Sequence, residues 1–288
     1  MLKPLLLTMT QERRDHISLM LKNIYPTFDG VVAVVNLPSN DGTKELLEDS
    51  GYEVIEVDKK IGRNTIYLFS YLIGEKPIAI IHLSALKSIP ESKKKPWLYY
   101  FNNILSTLST AIVAKVSSIP VVFASSAAVY SPSSAYARAK IVEEKLLGLI
   151  CPAVAVLRYF NIAGKTQTVN DYGSTNLFEI IRRDPNIQIN SISSTRDYVH
   201  VLDIARANVM AMEHLQTKGS FTTDIFTGES RTLLDVIHEY GQNGHIVHYT
   251  VLGAEDASTI PTLDNRHVFG WEPAYTFQQA IRSEIKEK

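Results

Sequence analysis

The stretch "VVFASSAAVYSPSSAYARAK", Val121 to Lys140, decides the fold of this chain. It opens with an apolar, β-branched run typical of a buried strand, crosses a short polar loop and continues as a helix. Similar apolar runs alternate with helical stretches through the first half of the sequence, which is the pattern of parallel strands joined by crossover helices. We therefore predict an α/β fold with a doubly wound parallel sheet, in which ligands bind beyond the carboxyl ends of the strands.

The same patterns set the bounds of the predicted elements. The predicted strands are Pro4–Thr8, Val31–Val35, Glu53–Val57, Ala79–His82, Val121–Ala124 and Ala153–Leu157. The predicted helices between them include Asp41–Asp49, Asn103–Val116 and Ala135–Leu149.

Beyond Asn161 the sequence becomes polar and rich in turn residues, and a helix is predicted over Leu177–Arg183. The tail holds "RDYVHVLDIARANVMAMEHL", which predicts a strand, an N-cap at Asp203 and an amphipathic helix. We place a Rossmann-type nucleotide-binding domain at residues 1–161 and a smaller lobe at residues 162–288, and we expect segments of the tail to return to the first domain.

Composition excludes several classes of protein. Among 288 residues, 29 basic and 30 acidic side chains leave no net field for nucleic acid or an anionic membrane, so an anionic ligand needs a few placed groups. The single cysteine, Cys151, excludes an internal disulfide, fits a reducing compartment and is expected in the core. No apolar run reaches the roughly 20 residues of a membrane span, and no secretory leader or histidine grouping typical of a metal site is found. We expect a cytoplasmic protein without a metal.

The chemistry-bearing residues lie within the opening stretch. Tyr136 and Lys140 are four apart, so a helix stacks them on one face, where an ammonium can stabilise a phenolate. A nearby cation lowers the pKa of a tyrosine from about 10 and makes it usable as a proton acceptor. Ser126, at the carboxyl end of the preceding strand, would share the proton of a reacting hydroxyl. This set predicts a hydride-transfer site.

Five segments in order carry a resemblance to a known family: "IHLSALKSIPESKKKPWLYYFNN", "VVFASSAAVY", "YARAK", "LRYFNIAG" and "RDYVHVLDIARANVMAMEHL". The chain resembles the extended short-chain dehydrogenase/reductase family, in particular its UDP-galactose 4-epimerase branch. The resemblance implies an NAD cofactor and a UDP-sugar substrate. It also implies a cycle in which the tyrosine deprotonates the sugar's 4-hydroxyl, a hydride moves from C4 to NAD, and the hydride returns to the other face of the 4-keto sugar.

The resemblance assigns roles to residues of this sequence. The catalytic serine, tyrosine and lysine of the family match Ser126, Tyr136 and Lys140. The resemblance implies that the tyrosine and the lysine also contact the cofactor. Further positions expected to hold the cofactor are Asp58, Lys87, Asn102, Asn103 and Tyr159. Positions expected to contact the nucleotide diphosphate are Asn161, Asn176 and Arg196, the last through a guanidinium fork.

Simpler interpretations remain open for some of these positions. Lys87 is also explained as a surface lysine, and Asn102 and Asn103 as the beginning of a helix. Arg196 is also explained as the partner of a nearby aspartate, and His200 as a packed histidine.

Related sugar dehydratases carry an acidic pair directly after the catalytic serine or threonine, and these acids drive the loss of water. Here the two positions are Ala127 and Ala128. The alanines therefore favour epimerisation, which needs neither an acid nor a base at those positions.

The turn after the first strand departs from the family. Three glycines normally let the backbone approach the pyrophosphate there, whereas this chain has Met9, Glu12 and Asp15. Each like-charge contact with the phosphates would cost about 4 kcal/mol in a partly screened site. Three resolutions stay open: a rebuilt turn that presents Arg13 or Arg14 to the phosphates, weak cofactor binding, or an inactive site. The second strand also ends without the aspartate that binds the adenosine ribose.

We predict an NAD-dependent nucleotide-sugar 4-epimerase acting on UDP-glucose and UDP-galactose or on the corresponding pentoses. The alternative is a catalytically inactive nucleotide-sugar-binding protein of the same fold. The resemblance further implies a homodimer that pairs through the helices Asn103–Val116 and Ala135–Leu149.

Overall fold

A computed structural model describes residues 5–7, 33–36, 53–56, 78–164, 177–183, 186–189, 191–253 and 261–285. Seven strands form one parallel sheet in the order β10-β6-β5-β4-β1-β2-β3. They are β1 (Leu5–Leu7), β2 (Ala33–Asn36), β3 (Glu53–Glu56), β4 (Ile80–His82), β5 (Val121–Ser126), β6 (Val154–Tyr159) and β10 (Phe221–Ile225). The doubly wound parallel sheet predicted from the sequence is confirmed.

The order of the strands reverses between β1 and β4, which are neighbours in the sheet although β2 and β3 separate them in the chain. In open α/β sheets such a reversal leaves a crevice beyond the carboxyl ends of the two strands, and ligands bind there. The loop that leaves β4 and the strand that ends at Ser126 both reach this edge of the sheet.

Helices cover both faces of the sheet. One face packs against α3 (Leu105–Ser117) and α4 (Ala135–Ile150), and the other packs against α6 (Val201–Thr217). Two short helices, α1 (Ile89–Lys94) and α2 (Pro96–Tyr99), and a π-helical turn, Tyr100–Ile104, precede α3. The sequence predicts a helix that begins at Asn103. In the structure Asn103 lies in the π-helical turn, and the α-helix α3 begins two residues later, at Leu105.

The remaining described elements build a smaller lobe. They are β7 (Asn161–Ala163), α5 (Leu177–Arg183), β8 (Asn186–Ile189), β9 (Thr195–His200), β11 (Ser230–Thr232), α7 (Leu233–Gln242), β12 (His248–Val251) and α8 (Phe277–Glu284). A three-stranded sheet in the order β11-β9-β7 and a parallel β12-β8 pair enclose a separate apolar cluster with α7 and α8. Strand β10 lies beyond residue 162 yet pairs with β6 of the large sheet, as expected for a tail that returns. The domain boundary itself stays a prediction.

The N-cap predicted at Asp203 is wrong. Helix α6 begins at Val201, and His200 is its N-cap, whose Nδ1 accepts a hydrogen bond from the Leu202 amide at 3.2 Å. Asp203 is instead buried, and its carboxylate accepts hydrogen bonds from the amides of Ala274 and Tyr275 at 3.0 to 3.1 Å. The local sequence does not predict these contacts, because the donors lie about 70 residues away in the chain.

Two predicted packing residues lie as expected. Trp271 is buried, and its indole N–H donates to the Asp203 carbonyl at 3.0 Å. Cys151 packs at the end of α4, and burial raises the pKa of its thiol to about 12, which makes it a poor nucleophile at neutral pH. Among the described residues, no helix has the length and apolar character to cross a bilayer, and no group of three metal-ligating side chains is found.

Candidate active site

Ser126 ends β5 at the edge of the sheet where the crevice opens. Its side-chain oxygen accepts a hydrogen bond from the Ala128 amide at 3.2 Å and caps the short 3₁₀ helix Ala127–Tyr130. An oxygen that accepts from a backbone amide keeps its own hydroxyl hydrogen for another partner. Ser126 is therefore positioned as a donor, and it is only half-buried.

Helix α4 presents the tyrosine and the lysine. Ser134 is its N-cap and accepts from the Ala137 amide at 3.1 Å, which fixes the start of the helix after the preceding loop. Tyr136 and Lys140 follow one turn apart and are both buried, with 9% and 3% of their surfaces exposed. The shared face predicted from their spacing is confirmed.

The Tyr136 ring packs in a small apolar cluster with Tyr99 of α2, and Leu86, Tyr100 and Ala128 line its rim. Within the described part of the chain, the Tyr136 hydroxyl has no hydrogen-bond partner. Ala128 lies two residues beyond Ser126, so the serine and the tyrosine flank the same short turn. The phenol is thus held by its ring while its oxygen stays available for a ligand.

The Lys140 ammonium is anchored on two sides. It donates to the Ala124 carbonyl of β5 at 3.0 Å and to Glu143 Oε2 at 3.0 Å, and it lies 4.4 Å from the centre of the Phe123 ring. An ammonium has three N–H donors, so two are used by these contacts. Sequence reasoning missed Glu143, although its position three residues after Lys140 on the same helix was a signal that the two side chains could meet.

A buried polar chain extends from this ion pair to β4. The Thr107 hydroxyl lies 3.2 Å from Glu143 Oε2 and 3.0 Å from His82 Nε2, and the His82 ring stacks on Phe123. Burial, with a smaller contribution from the Lys140 charge, lowers the pKa of His82 to about 3. His82 is therefore neutral at physiological pH. Because the single hydroxyl hydrogen of Thr107 goes to the carboxylate, Nε2 of His82 carries the hydrogen donated to Thr107.

The predicted cofactor-binding residues of this edge lie on two segments: Lys87 on the loop after β4, and Asn102 and Asn103 on the π-helical turn Tyr100–Ile104. Asn103 is buried, and its amide group bonds both backbone groups of Leu86, at 2.9 Å to the N–H and 3.0 Å to the carbonyl. Asn102 donates from Nδ2 to the Asn103 carboxamide at 3.2 Å. Asn103 thus holds the loop that carries the exposed Lys87, and Asn102 contacts Asn103.

One buried atom in the same loop fits a ligand. The Ser84 hydroxyl is buried just beyond the end of β4, and it has no hydrogen-bond partner among the described residues. Buried hydroxyls are nearly always satisfied, so an unpartnered one at the strand-order reversal suits a polar ligand such as a dinucleotide. On this observation the residues present fit an NAD molecule.

The small lobe places the predicted substrate-side residues on two paired strands. Asn161 begins β7 and donates to the Asp197 carbonyl at 3.3 Å, and Arg196 of β9 donates to the neighbouring Thr195 carbonyl at 3.1 Å. Strand β11 pairs antiparallel with β9 and sets Arg231 opposite Arg196. Sequence reasoning missed Arg231, since only the register of the two strands brings it there.

Tyr159 ends β6 and packs against the core. Its hydroxyl donates to Asn208 Oδ1 at 2.8 Å, and burial raises its pKa. The Tyr159 hydroxyl is therefore not a proton carrier at neutral pH. Its ring packs against the core at the end of β6.

Several predicted positions lie outside the described residues. They are Arg13, Arg14, Asp58 and Asn176, together with Met9, Glu12 and Asp15 of the first turn.

A doubly wound sheet with a serine-ended strand and a tyrosine and lysine one helical turn apart defines the class of extended short-chain dehydrogenase/reductases. Comparison with known proteins agrees. The model of the NAD dependent epimerase/dehydratase family matches residues 29–223. The chain belongs to this family.

Relatives and solved structures extend the comparison. UDP-glucose 4-epimerase of Rhizobium leguminosarum bv. trifolii is 30% identical over 266 residues, which cover 77% of this chain and 80% of that protein. The corresponding protein of Rhizobium meliloti is 30% identical, with 71% and 75% of the two chains covered. The crystal structure of UDP-glucose 4-epimerase from Brucella ovis in complex with NAD has a TM-score of 0.81 at 20% identity and covers 97% of this chain and 96% of that chain. At this level of identity the structural likeness shows the fold alone.

Proposed function

We propose that this chain is an NAD-dependent nucleotide-sugar 4-epimerase that acts on UDP-glucose and UDP-galactose or on the corresponding UDP-pentoses. The observation that carries the proposal is the pair of Tyr136 and Lys140, buried one helical turn apart beside the strand that ends at Ser126. The family supports NAD as the cofactor. The relatives named UDP-glucose 4-epimerase support a UDP-sugar as the substrate.

The residues around the crevice would hold NAD, which would supply hydride-acceptor and hydride-donor chemistry at C4 of the sugar. Tyr136 takes the proton of the 4-hydroxyl through its unpartnered oxygen, and the Lys140 ammonium on the next turn stabilises the phenolate. Ser126 donates its free hydroxyl hydrogen to the same sugar oxygen. The proton then returns from Tyr136 to the sugar as the hydroxyl re-forms.

The two alanines after Ser126 support epimerisation over elimination. Ala127 and Ala128 form the first turn of the 3₁₀ helix that Ser126 caps. Neither side chain can protonate a leaving hydroxyl or remove a carbon-bound proton. A chain that transfers only a hydride and one hydroxyl proton needs no such groups.

The remaining assignments are part of the proposal. On the cofactor side, Tyr159 and the loop that carries Lys87 would border the NAD pocket. Asp58 would contact the adenine. On the substrate side, the predicted diphosphate contacts are Asn161, Asn176 and Arg196. The guanidinium of Arg196 can grip phosphate oxygens in a fork, which an ammonium cannot do.

Spectroscopy and turnover test this proposal directly. Purified protein supplied with NAD and UDP-galactose should form UDP-glucose, and addition of the UDP-sugar should produce the near-ultraviolet absorption band of bound NADH. The double variant Arg13→Ala, Arg14→Ala should weaken NAD binding and leave UDP affinity unchanged if these arginines replace the glycine turn. An unchanged NAD affinity would exclude the arginine-bearing turn.

The second candidate is a catalytically inactive nucleotide-sugar-binding protein of the same fold. The observation that favours it is the pair of acids, Glu12 and Asp15, in the turn where the pyrophosphate of the cofactor is expected. Absence of turnover and of the NADH band, with UDP-sugar still bound in a calorimeter, would establish this alternative.

We also propose a cytoplasmic homodimer. Helices α3 and α4 lie side by side and expose apolar side chains: Ile112, Val116, Val142 and Leu149. Leu149 is 83% exposed, and Trp97 and Phe101 extend the apolar surface at the start of the helical segment. Exposed large apolar side chains on two adjacent helices support burial against a second copy. The lone cysteine supports a reducing compartment.

A further inference from the structure

The ion pair between Lys140 and Glu143 is buried so deeply that a contribution to the stability of the fold does not explain it. Glu143 is 0% exposed, and its second oxygen, Oε1, has no hydrogen-bond partner within the described part of the chain. Removing two charges from water is so costly that apolar residues of similar volume often stabilise a fold as well or better. An incompletely satisfied carboxylate at full burial therefore needs a reason other than stability.

Its surroundings indicate that reason. The carboxylate receives Lys140 Nζ and the Thr107 hydroxyl on one oxygen, while the Ala124 carbonyl holds the same ammonium from the strand side. Two of these contacts, from Glu143 of α4 and Ala124 of β5, are made to the lysine nitrogen, and the third, from Thr107 of α3, holds the carboxylate that receives it. The lysine is thus held in place by the protein before any ligand binds.

Helix α4 also fixes the order of the phenol, the ammonium and the carboxylate along the chain. Tyr136, Lys140 and Glu143 occupy positions i, i+4 and i+7, so the lysine lies between the tyrosine and the glutamate on one helix face. The negative charge of Glu143 partly cancels the field that the ammonium exerts at the phenol.

We propose that Glu143 is a positioning residue for the reaction: it fixes the Lys140 ammonium against β5 and supplies its buried counter-charge, so that the pair sets the proton affinity of Tyr136. The inference rests on the proposed hydride-transfer function of Tyr136. It assigns to Glu143 no contact with substrate or cofactor.

Other titratable groups of the described residues lie near this part of α4. His82 of β4 faces the pair through Thr107, and Tyr99 and Tyr100 pack against Tyr136. The remaining groups are satisfied by partners of their own: Glu91 with Tyr99 and Lys95, Arg138 with Tyr100, and Glu144 with Arg158. Glu143 is the described acid that contacts the lysine.

The test is the ionisation of Tyr136 in Glu143→Gln. Tyrosinate absorbance of the ligand-free protein is measured against pH, and subtraction of the Tyr136→Phe titration in the same background isolates Tyr136. Loss of the counter-charge should lower the midpoint by about one pH unit, because the ammonium then acts on the phenol without cancellation. The acid limb of kcat against pH should move in the same direction.

Glu144→Gln is the matched control, because it removes one charge from the adjacent residue of α4, whose carboxylate contacts Arg158 at 2.7 Å. It should leave the Tyr136 midpoint unchanged. Glu143→Asp keeps the charge and should hold the midpoint near that of the unmodified protein. If Glu143→Gln fails to fold, Glu143→Met removes the charge without leaving a buried amide and should show the same downward shift.

An unchanged midpoint in both Glu143→Gln and Glu143→Met would overturn the proposal, as would an equal shift in Glu144→Gln. The titration needs no ligand. Failure of the proposed epimerase activity would therefore appear as missing turnover in the unmodified protein, separately from the result for Glu143.

Discussion

Arg231 of β11 lies directly opposite Arg196 of β9 in the antiparallel ladder of the small lobe. Residues opposite each other in such a ladder project from the same face of the sheet, and two like charges there repel unless an anion lies between them. Arg231 donates to Glu229 Oε2 at 2.9 Å and lies over the Phe277 ring at 5.5 Å. Both arginine side chains thus project from the same face of this small sheet.

From this pair we expect Arg196→Ala and Arg231→Ala each to weaken UDP binding about tenfold or more, since hydrogen bonds to charged groups contribute roughly 1.5–3 kcal/mol. Isothermal titration calorimetry with UDP measures the effect. Arg282→Ala is the control, because its side chain is 57% exposed and contacts Glu239. If Arg231→Ala binds UDP as tightly as the unmodified protein, Arg231 serves only as the partner of Glu229.

Tyr136→Phe should reduce turnover by about a hundredfold to ten-thousandfold, because it removes the proton acceptor and nothing else. UDP affinity should remain nearly the same. Steady-state turnover of UDP-galactose and calorimetry with UDP provide the two measurements.

The control for this change is Tyr249→Phe, which removes a phenolic hydroxyl from an exposed residue of β12. It should leave both turnover and UDP affinity unaltered. Substantial turnover in Tyr136→Phe would show that another group takes the proton.

Acid should destabilise the fold through His82. Its pKa is about 3 in the folded chain against about 6.5 in an unfolded one, so the unfolded state binds more protons between these values. Stability from neutral His82 is therefore present above pH 6.5 and is lost as the pH falls toward 3, at up to about 1.4 kcal/mol per pH unit. Urea unfolding at a series of pH values measures the slope.

His82→Gln should flatten that slope, because glutamine can still donate to Thr107 but does not titrate. His267→Gln, at an exposed position, is the matched change and should retain the steep dependence. Equal slopes in His82→Gln and the unmodified protein would mean that other groups cause the acid sensitivity.

The proposed homodimer should dissociate when a charge is placed on its apolar face. Leu149→Glu puts a carboxylate at the most exposed apolar position of α4 and should give monomers in sedimentation velocity runs. Ile246→Glu is the control, since Ile246 is 75% exposed but lies in the small lobe. A monomeric unmodified protein at all concentrations would refute the dimer.

Local patterns were sufficient for the large sheet. The predicted strands before residue 160 each overlap an observed strand, because short runs rich in apolar and β-branched residues are a local signal for strands of a parallel sheet. The prediction that Asp203 is a helix N-cap failed because the contacts of its carboxylate are not local. A carboxylate at a helix start is a good cap, yet here it binds amides far along the chain, and only packing brings those amides near.

The sequence by itself determined the α/β pattern and the place of Tyr136 and Lys140 on one face of a helix, since helix and strand periods are local properties of the chain. Tertiary structure alone decided what packs around the pair of Lys140 and Glu143: Ala124 and Thr107 lie on other elements, and only packing brings them to the helix that carries the pair. The same holds for Arg231, whose place opposite Arg196 follows from strand register. Register and packing depend on contacts between distant residues, which no local pattern records.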